Sequence, residues 1–160
     1  MNIYENNKRV VSRGITFIGN SVLLIERYKK EGDELLHYFT IPGGGVEENE
    51  SYVDAAIRET EEETTTKTKF VKFLTREDYG SGICYWYYLE YISGTPQLGG
   101  EEKERNHPDN SYNVVLIDMK DIDKVNILGI GKQLIKKCYL EYKKSKFNKE
   151  RWKDTLWKKV

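Results

Sequence analysis

Cysteine is scarce in this sequence. Cys84 and Cys138 stand far apart and neither belongs to a CxxC-type spacing, so a thiolate metal cluster is excluded and both read as buried or free thiols rather than halves of a disulfide. A long apolar run is missing too. No stretch approaches the roughly 18 apolar residues of a membrane span, and "MNIYENNKRVVSRG" lacks the apolar core of a secretory leader. A cytoplasmic protein with no membrane partner is the expectation. Net charge is absent as well: 26 Lys and Arg balance 26 Asp and Glu, so no global field advertises nucleic acid, and none is expected as a partner.

What is present fits one domain over residues 1–160 with a real hydrophobic core, since 38% of residues are hydrophobic and 32% charged. Residues 1–12 read as a polar lead-in. "ITFIGNSVLLIER" carries two apolar runs broken by Gly19-Asn20-Ser21, a hairpin signal. "LLHYFTIP" is a third strand and "FVKFL" a short one. "ICYWYYLEYI" is a longer strand, so aromatic that cover on both faces is predicted. A polar stretch, 98–111, precedes the strand "YNVVLI". Helices are expected over 51–64, capped by Ser51, over 131–144, and in a basic segment over 145–160. The sum is a mixed α/β fold.

The charge that cancels globally is unevenly placed. Between Glu31 and Glu63 stand eleven acidic residues and a single basic one, Arg58. At about 100° per residue, Glu59, Glu62 and Glu63 share one arc of about 100°, with Val53 and Ile57 on a different, core-facing side. Ala55 and Ala56 lie near the carboxylates and leave room for something bulky. Three carboxylates at that spacing repel unless a cation intervenes. A hard divalent ion with oxygen ligands answers this, and Gly43-Gly44-Gly45 lets backbone approach the same ion or a ligand. A solvated acidic helix after a flexible loop is the competing reading of composition alone.

The spacing favours the first reading. Gly44, five residues, Glu50, seven residues, Arg58-Glu59, two residues and Glu62-Glu63 resembles the Nudix box of the Nudix hydrolase superfamily, Gx5Ex7REUxEExGU. Thr60 and Thr66 replace aliphatic residues of that pattern and Thr65 replaces its glycine, which predicts a differently shaped helix end. The resemblance implies an α/β/α sandwich with a mixed sheet, the loop and helix of the box, and C-terminal helices. It implies a divalent-metal-dependent hydrolase, using Mg²⁺ or Mn²⁺, that cleaves a diphosphate linkage in a nucleotide or nucleoside-diphosphate derivative.

By the same resemblance Glu62 and Glu63 are metal ligands, Glu59 is a ligand or base, and Arg58 orients a glutamate, with Glu50 a structural partner. Gly43 offers a backbone carbonyl, and Gly44 and Gly45 approach the substrate. A further acid is expected from Glu101, Glu102 or Glu104, with Glu102 favoured, and it competes with Glu59 for the role of base. Arg27 is a candidate phosphate contact. His37 and His107 read as structural or solvent-facing. Tyr28, Phe39, Trp86 and Tyr112 are candidates for stacking on a base, though core packing explains each. The tail "FNKERWKDTLWKKV" sets Trp152, Leu156 and Trp157 on one side, suited first to packing on the domain, then to a homodimer contact, and least to a membrane surface. A non-catalytic nucleotide-binding module on the same fold is the alternative function.

Overall fold

The computed structural model describes the backbone of residues 1–157 and the side chains of residues 1–150. One strand organises it. β2 (Lys8–Ile18) alternates Val11, Ile15 and Phe17 toward one face and Val10, Ser12 and Thr16 toward the other, all buried, as period-two geometry with both faces covered requires. β7 (Gly82–Ser93) runs parallel to it, Val11 opposite Cys84, Arg13 opposite Trp86 and Ile15 opposite Tyr88. The two faces therefore continue across both strands. Cys84, Trp86 and Tyr88 join Val11, Ile15 and Phe17 in a cluster closed by Ile135 and Cys138 of α3 (Gly131–Trp157). On the opposite face Tyr87 and Leu89 pack against Ala56 of α1 (Tyr52–Thr64).

The mixed sheet lies between these helices, in the order β4-β3-β2-β7-β6. β3 (Ser21–Glu31) forms the expected hairpin with β2 but pairs with it only at Phe17 and Ile18. It then diverges to lie between β4 (Glu34–Thr40) and β8 (Asn110–Asp118). Into the gap steps β5 (Gly43–Gly45), antiparallel to β2 with Gly45, Gly44 and Gly43 opposite Val11, Ser12 and Arg13. This divergence carries the glycine triplet to the middle of β2, under α1. Gly14 permits α1 to come close, because a Cβ there would stand 2.3 Å from Leu89 Cδ1 and 3.3 Å from Thr60 Oγ1.

Several expectations need correction. The polar lead-in is strand: β1 (Tyr4–Glu5) pairs with the start of β2 around Asn6 and Asn7, both at positive φ. Asparagine tolerates that conformation in a two-residue hairpin, so "ENNK" is a turn signal. β6 (Lys67–Asp78) is more than twice the expected strand, an edge element with register shifts along β7. The polar stretch holds a short helix, α2 (Gly100–Arg105). No break separates the helix at 131 from the basic segment: α3 is continuous through Trp157. Trp152, Leu156 and Trp157 lie outside the residues whose side chains are described. Both thiols are free and buried. Among the described residues no helix is long and apolar enough to cross a membrane.

Candidate active site

α1 begins where Ser51 accepts a hydrogen bond from the Asp54 N–H, satisfying one of the orphan donors of the first turn. The face it sets against the sheet is Ala56, Thr60 and Thr64 with Ala55, whereas Val53 and Ile57 are only partly buried. The alanines are thus a packing surface, not an open approach to the carboxylates. Thr60 is fully buried in place of an aliphatic residue because its hydroxyl donates to the Ala56 carbonyl at 2.7 Å, leaving its methyl to the core.

Arg58 sits at the centre of the acidic face. Its Nε and Nη2 donate to both oxygens of Glu50 at 2.7 and 3.0 Å, Nη1 to Glu59 at 2.9 Å and Glu62 at 3.2 Å, and Nη2 also to the Gly45 carbonyl at 3.0 Å. The bidentate bond to Arg58 holds the Glu50 carboxyl below its ordinary range. The Glu59 carboxylate lies where a Cβ on Gly44 would stand, 2.6 Å from either oxygen. Any side chain at 44 displaces it. Burial raises the Glu59 carboxyl, Glu62 and Glu102 add to this, and Arg58 only partly offsets it.

Glu63 is the most enclosed acid of the group, 7% exposed. Burial, then Glu59 and Glu102, push its carboxyl well above the ordinary value; Arg13 and the Gly43 N–H act in the opposite direction and do not reverse it. Glu102 is brought here by the segment before α2. The N–H groups of Gln97 and Gly99 donate to the Thr64 and Glu63 carbonyls at 3.0 Å, occupying the orphan acceptors at the end of α1. Glu101 instead pairs with Arg105, and Glu104 is exposed.

Glu63, Glu102 and Gly43 line a cavity of about 180 Å³ together with Arg13 and Arg27. Arg27 is fixed by bonds to the Ser111 carbonyl and Asn110, and lies 3.6 Å over the Tyr112 ring. Arg13 donates from Nη1 to the Ile41 carbonyl at 2.6 Å. Glu63, whose ionised form burial disfavours, thus shares a small polar space with Glu102 and two fixed cations.

These acids are chemically suited to a divalent cation. Carboxyls raised by burial and by neighbouring acids, as Glu59 and Glu63 are, are relieved by positive charge beside them, and oxygen is the donor that hard ions take. Among the described residues, however, no three His, Cys, Asp or Glu side chains are drawn together as a metal-binding group. Glu62, expected as a firm ligand, is turned to Arg58.

The family description "NUDIX domain" matches residues 8–121. The chain belongs to that family. Its enzyme class is accordingly a Nudix-type pyrophosphohydrolase, a class whose members generally use divalent metal ions. Solved structures agree on the fold. A hydrolase of the NUDIX family from Clostridium perfringens is 16% identical, with 82% of this chain and 95% of that chain covered and a TM-score of 0.62. A NUDIX hydrolase from Nitrosomonas europaea is 23% identical over 74% of this chain, at a TM-score of 0.56; the match spans 61% of that longer chain. MutT, studied from Aliivibrio salmonicida and Vibrio cholerae, is 18% identical over 79% of this chain and 93% of that chain, at a TM-score of 0.55. No curated protein matches the sequence.

Against the Nudix box pattern, Thr65 gives a finding opposite to expectation. It takes the left-handed conformation of a glycine cap, φ 57° and ψ 24°, its N–H donating to the Glu61 carbonyl. The Thr65 hydroxyl donates to the Thr95 carbonyl at 2.7 Å, which helps offset the strain of a β-branched residue there. Gly44 and Gly45, expected at the substrate, lie against Glu59 and Arg58 instead, and Gly43 is the one that lines the cavity. His37 stacks on Tyr28 at 4.1 Å and bonds Glu26. His107 accepts from the Asp109 N–H in a turn. Phe39 is core. Arg13 was not legible as a site residue, although one signal exists: it is the charged position on the otherwise apolar face Val11, Ile15, Phe17 of a buried strand.

Proposed function

We propose that this chain hydrolyses a diphosphate linkage in a nucleotide or nucleoside-diphosphate derivative, with Mg²⁺ or Mn²⁺ held by Glu59, Glu62, Glu63, the Gly43 carbonyl and Glu102. The observation that carries this reading is the cavity that Arg13 and Arg27 line together with Glu63 and Glu102. Its arginines favour a phosphate anion and its carboxylates a cation. When bound, the divalent ion supplies charge neutralisation of the diphosphate and a more acidic water.

The chain's own groups do the remainder. Arg27, locked on Tyr112 and Asn110, presents a preorganised cation to phosphate oxygens at little entropic cost. Arg13 does the same from the opposite strand. Arg58 keeps Glu59 and Glu62 in place, and Glu50 keeps Arg58 in place. Glu59 and Glu102 are the two candidates for taking a proton from water; burial raises the Glu59 carboxyl, which makes it the stronger base when ionised.

The test is a panel of nucleoside triphosphates, nucleoside-diphosphate sugars, ADP-ribose and dinucleoside polyphosphates, incubated with Mg²⁺ or Mn²⁺ and read by mass spectrometry. Cleavage of one class between phosphates, lost in Glu62→Gln and Glu63→Gln, is the expected result. Binding of a nucleotide without cleavage under either metal overturns it in favour of a nucleotide-sensing module.

A further inference from the structure

We infer that a second cavity, next to the carboxylate cluster, reads the edge of a guanine base through Glu77 and Trp86; the inference rests on the nucleotide reading above. This cavity is about 290 Å³, near the lower size of ligand sites. Arg13 and Thr40 line both it and the polar cavity that holds Glu63. A nucleotide with its phosphates against Arg13 therefore has its nucleoside end directed to this space. Ile41 and Leu128 supply apolar wall, as a planar base requires.

Two buried polar atoms without a hydrogen-bond partner among the described residues belong to side chains that line this cavity. They are Trp86 Nε1, on a side chain only 5% exposed, and Glu77 Oε2. Buried polar groups in native proteins are almost always satisfied, so a pair of orphans in one cavity points to a ligand that supplies the missing partners. The strand register brings the two together. Thr75 is opposite Trp86 and Glu77 opposite Cys84, which makes Glu77 and Trp86 diagonal neighbours on one face of the sheet.

To a ligand here the two residues offer one donor, the indole N–H, and two acceptors, the carboxylate oxygens. Guanine answers all three along one edge: O6 accepts, and the N1–H and the 2-amino group donate. The two donations form the bidentate, charge-assisted arrangement that is strongest for a carboxylate. Adenine and cytosine can satisfy the two orphan atoms only with an amine on Glu77 and a ring nitrogen on Trp86, leaving the second carboxylate oxygen without a donor. Uracil sets a second carbonyl against that oxygen. Hypoxanthine lacks the amine.

Calorimetric titration with guanosine, inosine, adenosine and uridine diphosphates tests this independently of catalysis. Guanosine diphosphate is expected to bind roughly 10-fold to 100-fold more tightly than the others, the size of one charge-assisted hydrogen bond. Glu77→Gln replaces one acceptor by a donor; it is expected to abolish that preference and to favour xanthosine diphosphate, whose 2-oxygen replaces the amine. Trp86→Phe is expected to weaken guanosine diphosphate. Equal affinity for the four nucleosides, no binding of any, or an unchanged order in Glu77→Gln overturns the assignment. Selective, Glu77-dependent binding without hydrolysis leaves the base assignment standing and removes the hydrolase reading. Hydrolysis without base preference does the reverse.

Discussion

Arg58 makes hydrogen bonds through all three guanidinium nitrogens, to three glutamates and one carbonyl. A lysine has the charge but not the planar fork. Arg58→Lys is therefore expected to destabilise the fold by about 2 kcal/mol, through lost bonds to a partly buried carboxylate, and to lower activity by more than Glu50→Gln does. Urea melts and initial rates on the same preparations check both. The pair also sets an acid limit. The Glu50 carboxyl is depressed in the fold, so its stabilisation is complete above the ordinary carboxylate range of about 4 and is lost as pH falls through the lower folded value. Wild type is expected to lose more stability between about pH 6 and pH 3 than Glu50→Gln, whose amide does not titrate. Melts that fall in parallel would remove the pair from the acid response. At this scale the box residues were legible, because helical spacing alone gathers Arg58, Glu59, Glu62 and Glu63. Arg13 and Arg27 were not legible as a pair, since β5, β8 and the loop before α2 must all assemble before the two face one cavity.

Among the elements, α1 shows local propensity overruled by tertiary structure. Its start at Ser51 and its extent to Thr64 follow from capping and periodicity. Its end does not. Threonine at 65 argues against a left-handed cap, yet the chain adopts one, because the Gln97 and Gly99 N–H groups and the Thr95 carbonyl hold the turn from outside. The strain of a left-handed, β-branched residue costs about 1–2 kcal/mol, and an exposed hydroxyl bond returns about half that or less. Thr65→Gly is thus expected to stabilise by about 0.5–1 kcal/mol, raising Tm by about 2–3 °C. Thr65→Val keeps the strain, loses the bond and is expected to lower Tm by a similar amount. Calorimetric melts distinguish the two, and a destabilised Thr65→Gly would show that the Thr95 bond dominates. The same outside support explains why α2 escaped the sequence reading: six residues, none buried, carry no periodic signal, and what fixes the helix is its approach to the end of α1.

For the molecule as a whole, cover on both faces of the aromatic strand β7 was readable from its composition, whereas its parallel pairing with β2 was not. Nor was the charge balance that the fold creates. Eleven acids against one base, Arg58, in the Glu31 to Glu63 stretch leaves a deficit of cations, which Arg13 and Arg27 repair only in part. The remainder appears in Glu59 and Glu63, both raised by burial and by neighbouring carboxylates. A raised carboxyl stabilises the metal-free fold below its unfolded value of about 4.3, and that contribution is lost as pH climbs through the folded value. Divalent ions bind the ionised form, so their stabilising effect grows over the same interval. Thermal melts with and without Mg²⁺ are expected to differ more near pH 8 than near pH 5, by several degrees at the higher pH. Glu63→Gln removes the most strongly raised group. It is expected to flatten the metal-free pH dependence and to shrink the Mg²⁺ effect, while keeping the fold, because the amide remains hydrogen-bonded or solvated at the cavity wall without charge. An Mg²⁺ shift of equal size at both pH values, or one untouched by Glu63→Gln, would show that the cation acts elsewhere on the surface.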